Sequence, residues 1–252
     1  MSFDRSNNPT IKALLSMETN VPGTRHILEN SLSESDLGVL ITPNLKFKAH
    51  AEHAAAKASS VLGQLKRTFK YWTKDTFRTI FTTYVRPHLE YAATVWSPHR
   101  KKDISTIEKV QRRATKLVPE IRNLNYHDRL AELDLTTLEE RRLRGDIIQL
   151  FKVYTGSNII KFQGNPITSA LSKSGPAAGL RRNPHCLSRQ GVSTCSQREY
   201  FFTYRTIPIW NTLPSEVVSC TSLNQFKNRL DRHLDNQRIS NREAMRLGSI
   251  RY

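Results

Sequence analysis

The stretch Thr83-Thr-Tyr-Val-Arg-Pro-His-Leu-Glu-Tyr-Ala-Ala-Thr-Val-Trp-Ser-Pro98 decides how the chain folds. Tyr84, Leu89, Ala92, Ala93 and Trp96 recur at helical spacing, which predicts a helix with one buried face and Trp96 in the core. Pro87 cannot sit unstrained inside a helix, so it marks a kink or a fresh start with proline at the first helical position. Pro98 then stops the element. The chain continues through His99-Arg-Lys-Lys-Asp-Ile104 into a second helix with two faces. Ile104, Ile107, Val110, Ala114 and Leu117 form an apolar stripe. Lys109, Arg112, Arg113 and Lys116 fall at i, i+3, i+4 and i+7, which stacks them into a cationic ridge on a largely separate face.

Upstream of this stretch, Ala51, Ala54, Ala55, Ala58, Val61, Leu62, Leu65 and Phe69 keep a helical period from about Phe47, and the alanines allow close approach of a neighbouring helix. Lys48, Lys57, Lys66, Arg67 and Lys70 lie off that stripe. Thr73 is the expected N-cap of the next helix, whose inner face is Phe77, Ile80, Phe81 and Tyr84. Before the alanine helix, Leu37-Gly-Val-Leu-Ile41 reads as a strand, and Thr42-Pro-Asn-Leu45 turns the chain. Residues 1–35 are weakly patterned, with a strand or helix at 11–17 and a turn at Pro22-Gly23.

Downstream, Asn125 is the expected cap of a short helix, and Thr136 with Glu139 has capping-box spacing. The helix that follows presents Leu138, Leu143, Ile147, Leu150, Phe151 and Tyr154 and ends at Gly156. Arg141, Arg142 and Arg144 beside Asp146 suit either phosphate binding or local ion pairs. Residues 157–196 are rich in Gly, Pro, Ser and Asn and read as a linker, with Arg181-Arg182 as a solvated pair. The aromatics of residues 200–204 and Trp210 suit core packing more than base stacking, and Pro208 is expected to interrupt any helix there. Ser222 and Gln225 again have capping-box spacing ahead of a last amphipathic helix through Leu223, Phe226, Leu230 and Leu234. The tail after Asp235 is expected to fray.

The run YVRPHLEYAATVWSPHRKKDISTIEKVQRRATK resembles the segment that follows the polymerase palm in non-LTR (LINE, jockey-like) retrotransposon reverse transcriptases. DLGVLITPNLKFKAH at residues 36–50, LTTLEERRLRGDIIQLFKVYTG at 135–156 and FFTYRTIPIWNTLPSEVVSCTSLNQFKNRLD at 201–231 fit the same family in the same order. The resemblance implies that residues 36–50 lie near the primer-grip turn and that the helices after them form a thumb, which holds template and primer. It also exposes a departure. RNA-directed DNA polymerase chemistry of that kind needs carboxylates converging on two Mg²⁺ ions, and the sequence contains no Asp-Asp pair. Asp4, Asp36, Asp75 and Asp103 are scattered. No catalytic residue and no cofactor are therefore expected in this chain, Mg²⁺ belonging to the absent palm.

Charge points the same way as the resemblance. The 252 residues carry a net charge of +17, and residues 46–120 hold 16 basic and 6 acidic groups. A polyanionic partner is the simplest consequence, with a solvated basic surface as the plain alternative. No stretch approaches the ~20 apolar residues of a membrane-spanning helix. The N-terminus lacks an apolar signal core, so an intracellular location, nuclear or cytoplasmic, is expected rather than secretion. Three widely spaced cysteines, Cys186, Cys195 and Cys220, argue against a disulfide framework. His185-Cys186 lacks the partners of a zinc site, and His50 and His53 lack a third ligand and read as surface residues. Phosphate-binding loops, nucleophile elbows and His-Glu-x-x-His helices are missing from the sequence.

The expectation is thus a mainly α protein. Residues 47–156 form a small antiparallel, thumb-like helical bundle. A short β element in a palm remnant at 1–46 precedes it. A linker at 157–197, a helical segment at 198–235 and a basic tail at 236–252 follow. The expected function is binding of RNA and DNA, as RNA–DNA hybrid or primer–template, through phosphate contacts of Lys109, Arg112, Arg113 and Lys116, with Lys66, Arg67 and Lys70 as a second set. Two alternatives stand beside it. One is a truncated record of an active reverse transcriptase whose catalytic part is encoded upstream, and the other is a non-enzymatic helical interaction module.

Overall fold

The computed structural model describes residues 16–18, 25–27, 32–158, 161–162, 165–166, 185–187 and 199–246. The expected turn at Pro22-Gly23, the Arg181-Arg182 pair and most of the expected linker lie outside these residues. The described chain is mainly helical, with short antiparallel hairpins. Strand β1 (Ser16–Glu18) pairs with β2 (Arg25–Ile27), and β3 (Glu34–Asp36) pairs with β4 (Val39–Ile41). Asp36 faces Val39 across this second hairpin, so Leu37 and Gly38 are its two turn residues. Both have positive φ, 45° and 79°. This corrects the expectation that Leu37 belongs to the strand. A two-residue hairpin turn of this hand needs positive φ at both positions, which Gly38 supplies freely and Leu37 supplies under strain. The Tyr91 hydroxyl holds the strained residue by donating to the Leu37 carbonyl at 2.9 Å.

Helix α1 (Lys48–Thr68) is alanine-rich, and alanine is the best helix former. Ala51, Ala54, Ala55 and Ala58 are buried, and Val61, Leu62 and Leu65 pack at the core margin as their spacing predicts. His50 departs from expectation. It is buried rather than on the surface, because its Nδ1 accepts the Leu40 amide at 3.1 Å and its ring meets Trp96 edge-on. Helix α2 (Lys74–Ile80) begins at Thr73, whose side chain accepts from the Thr76 amide as a cap should.

The deciding stretch answers the Pro87 problem with a wider turn. Phe81–Val85 is a π-helical turn in which the Arg86 amide bonds the Phe81 carbonyl, and α3 (Arg86–Glu90) then starts with proline in its first turn. The extra residue in that turn moves the carbonyl the proline ring would strike. It also shifts the buried face by one position. Val85 and Leu89 are fully buried while Tyr84 is exposed, correcting the place given to Tyr84. Ala92, left-handed at φ 50°, starts α4 (Ala93–Trp96). Trp96 is fully buried and its indole N–H donates to the Tyr91 carbonyl at 2.7 Å.

Helix α5 (Lys101–Ala114) buries Ile107, Val110 and Ala114 against α1. Helix α6 (Tyr126–Glu132) is capped by Asn125. The capping box ahead of α7 (Leu138–Tyr154) is Thr137 with Glu140, one residue later than expected. The Thr136 carbonyl, one residue before the cap, accepts from the buried Gln111 amide.

Helix α7 joins two cores. Leu138 belongs to the first, with Trp96, Phe77 and Ile107. Ile147, Leu150, Phe151 and Val153 belong to the second, built with α8 (Phe202–Trp210), α9 (Ser215–Val218) and α10 (Leu223–Arg246). Phe151 stacks on Phe226 at 4.0 Å, and Trp210 packs beside both. Three expectations are corrected here. Pro208 does not interrupt α8, because it falls in the last turn, where burial of Ile207 and Trp210 outweighs one lost amide. Part of the expected linker is anchored. Leu187 is buried, its backbone exchanges two 2.9 Å bonds with the Asn211 side chain, and the Trp210 indole donates to the His185 carbonyl. The last helix does not end at Asp235 but runs to Arg246, with Arg238 reaching both Asp235 and Glu140.

Candidate nucleic-acid interface

Close packing of small residues on α1 against α5 sets the outer edge of the helix pair. The small side chains of Ala55, Ala56 and Ser59 leave an open groove of about 500 Å³ between the two helices. Its other wall is formed by Thr106, Lys109, Val110, Arg112, Arg113 and Lys116. All four members of the cationic ridge therefore border one concavity, and all four are exposed. None lies within ion-pair distance of a carboxylate among the described residues. The Arg113 guanidinium donates to Ser59 Oγ at 2.8 Å, so it spans the groove. The Arg112 guanidinium lies 4.4 Å from the centroid of the Tyr126 ring. Such a contact orients an arginine without neutralising it.

Beneath the ridge sits a buried polar network. Glu108 accepts from the Tyr126 hydroxyl and from the Leu138 amide at 3.1 Å. Gln111 donates to Tyr126 Oη at 3.0 Å and to the Thr136 carbonyl at 2.9 Å. Burial pushes the Glu108 carboxyl above its ordinary range, and its two hydrogen bonds and the cations Arg142 and Arg112 pull the other way. Burial and the adjacent Glu108 raise the Tyr126 phenol. The network ties α5, α6 and the start of α7 together, which fixes the helix face that carries the ridge.

The second expected set is placed differently. Lys66 and Arg67 are in the last turn of α1 and Lys70 lies just beyond it. All three are exposed, and none lines the groove. Cations at a helix C-terminus stabilise the helix through its dipole, which gives Lys66 and Arg67 a role independent of any ligand.

Two arginines of α7, Arg141 and Arg144, are taken up by bridges between elements. Arg141 forms a bidentate pair with Glu90, and Arg144 one with Asp231, at 2.7 Å for the Nη2–Oδ2 bond. Arg142 is buried, and its Nη1 and Nη2 have no hydrogen-bond partner among the described residues. Burial lowers its pKa while Glu108, Glu139, Glu90 and Asp146 raise it. Asp146 pairs with Arg205 rather than with its own helix. For Arg141 and Arg144 ion pairing holds, but across the fold rather than locally, and Arg142 forms no such pair among the described residues.

Sequence reasoning missed Ala55, Ala56, Ser59 and Thr106 as groove residues. The signal was there in part, since the alanine spacing foretold a close neighbour, but which helix would lie beside α1 is a tertiary fact. Among the described residues no group of His, Cys, Asp or Glu is placed to hold a metal ion, and no helix is long and apolar enough to cross a membrane.

No family model matches the chain, and no solved structure matches it. An uncharacterised protein of Caenorhabditis elegans is 27% identical over 144 residues, covering 56% of this chain and 70% of the relative.

Proposed function

We propose that the chain binds nucleic acid through the α1–α5 groove, in the manner of the thumb of a retrotransposon RNA-directed DNA polymerase, and does no polymerase chemistry by itself. One observation carries the reading. Four side chains along α5 and the 3-10 turn that follows it border a single concavity, and none has a carboxylate within ion-pair distance among the described residues. Four cations so close repel one another, and an anionic ligand offsets that repulsion. The groove floor is made of small side chains, so a sugar–phosphate backbone meets no steric bar. Contacts of this kind position a duplex without reading its sequence. The net charge of +17 adds long-range attraction for a polyanion. The resemblance to the post-palm segment of non-LTR reverse transcriptases supplies the thumb analogy, and the missing Asp-Asp pair supplies the second half of the proposal.

The test is a binding titration of the purified chain against RNA–DNA hybrid, duplex DNA and single strands at several salt concentrations, with an acidic protein as competitor. Salt-sensitive duplex or hybrid binding that survives the acidic competitor supports the reading. Preference for the acidic protein overturns it in favour of a helical interaction module. Primer extension on a primed RNA template with Mg²⁺ or Mn²⁺ is expected to give no product, and template-dependent incorporation would contradict the second half.

A further inference from the structure

Outside the groove, one exposed patch combines aromatic faces with cations. The rings of His99 and Tyr200 stack with centroids 3.7 Å apart and planes 8° apart, and both residues remain exposed. Phe201, the next residue, is 48% exposed. Arg100, Lys101 and Lys102 follow His99, all exposed and none within ion-pair distance of a carboxylate among the described residues. Burial of part of the His99 ring and the adjacent Arg100 hold its pKa below the ordinary value, while the carboxylates of Asp103 and Glu199 pull it the other way.

The patch is fixed from beneath by Arg205 on α8. Its guanidinium donates to the Tyr200 carbonyl at 3.0 Å, to the Thr94 carbonyl of α4 at 2.6 Å and to Asp146 of α7 at 2.9 and 3.1 Å. The segment bearing Tyr200 is thereby held on two other helices before any ligand arrives, which lowers the ordering cost of binding. Neither core accounts for the two rings, since both stay in solvent. Helix stability does not account for Lys101 and Lys102, since positive charge in a first helical turn opposes the dipole.

We propose that the His99–Tyr200 stack and the cations Arg100, Lys101 and Lys102 bind an unpaired nucleic-acid strand, one base stacking on the aromatic pair and the flanking phosphates meeting the cations. The inference rests on the reading of the chain as a nucleic-acid binder but concerns a different site. Lys101 and Arg113, both on α5, are separated by about 18 Å at the rise of an α-helix. One helix thus carries the duplex ridge at one end and the strand platform at the other. Bases inside a duplex cannot offer a face to the platform, so this site takes a single strand, whereas the ridge meets the phosphates of a duplex. Recognition uses only base faces and phosphates, which RNA and DNA share.

Fluorescence anisotropy of the full chain with labelled oligothymidylate, oligouridylate and a blunt duplex tests it. Tyr200→Ala should weaken binding of both single strands about 10-fold, within the range for one stacked base, and change duplex binding by less than about twofold. Tyr200→Phe, which keeps the ring, should retain single-strand affinity. Changing the four ridge residues to Gln should weaken duplex binding, so the two sites fail separately. Single-strand affinity unchanged in Tyr200→Ala, with circular dichroism showing the variant folded, overturns the platform. So does an equal loss on duplex and single strands. If Tyr200→Ala fails to fold, His99→Ser decides by the same readout. Duplex binding without single-strand binding by the unaltered chain overturns the platform and leaves the ridge standing.

Discussion

The groove face of α5 and the α7–α8 junction are built from the same residue type and use it in opposite ways. At the junction and along α7 beside it, Arg205, Arg141 and Arg144 each clamp a carboxylate on another element, Asp146, Glu90 and Asp231 respectively. On α5, Arg112 and Arg113 touch a ring and a hydroxyl and have no carboxylate within ion-pair distance among the described residues. The difference is decided by whether the fold brings a carboxylate within reach. An arginine on the first face is available to a ligand, and one at the junction is a structural fastener.

The comparison can be broken first at the cores beneath the two regions. Trp96→Ala and Trp210→Ala should each cost about 3–5 kcal/mol, since both rings are almost wholly buried, one in each cluster. Denaturant unfolding followed by tryptophan fluorescence and circular dichroism measures the loss. A Trp96→Ala chain that melts as the parent does while losing nucleic-acid affinity would make Trp96 a ligand contact.

Next in size is the junction clamp. The Arg205 and Asp146 side chains are 18% and 6% exposed, so removing one partner leaves a poorly solvated charge. Arg205→Ala should destabilise the fold by about 3 kcal/mol, whereas Arg113→Gln on the groove face should change stability by less than about 0.5 kcal/mol. Equal effects of the two substitutions in thermal melts would erase the distinction between fastener and free cation.

A smaller effect depends on pH. Burial, with His53 adding to it, holds the His50 imidazole below its ordinary value of 6.5. Folding needs the neutral ring, because Nδ1 must accept the Leu40 amide. The unfolded chain therefore binds more protons between the two values. The contribution to stability is complete above about pH 6.5 and is lost as pH falls through the lowered folded value. His50→Gln keeps an acceptor that does not titrate, so its melting temperature should fall less on mild acidification than that of the parent. Parallel pH dependences would remove His50 from the linkage.

How much of this was legible in the sequence follows from the range of the forces involved. Periodicity placed α1, α5 and α7, and capping residues placed the starts of α2 and α6, because those signals are local. The ridge was legible because four residues on one turn-to-turn face need no tertiary knowledge. The π turn at Phe81–Val85 was not, since Pro87 announces a disturbance without saying which way the helix absorbs it. The burial of His50 and the fates of Arg141, Arg144 and Arg205 depend on residues 10 to 87 positions away in the chain. The groove needed the pairing of α1 with α5, and the His99–Tyr200 stack joins residues that sequence order keeps far apart.

The central claim is that the ridge meets phosphate. Each phosphate contact on duplex DNA contributes a slope of about −0.9 to the log–log dependence of affinity on salt. Lys109, Arg112, Arg113 and Lys116 changed together to Gln should leave the fold intact by circular dichroism and flatten the measured slope by about 3–4 units, with affinity falling alike on unrelated duplex sequences. Slopes that agree within error for the parent and the variant, both folded, would contradict the claim and remove these four residues from the binding surface.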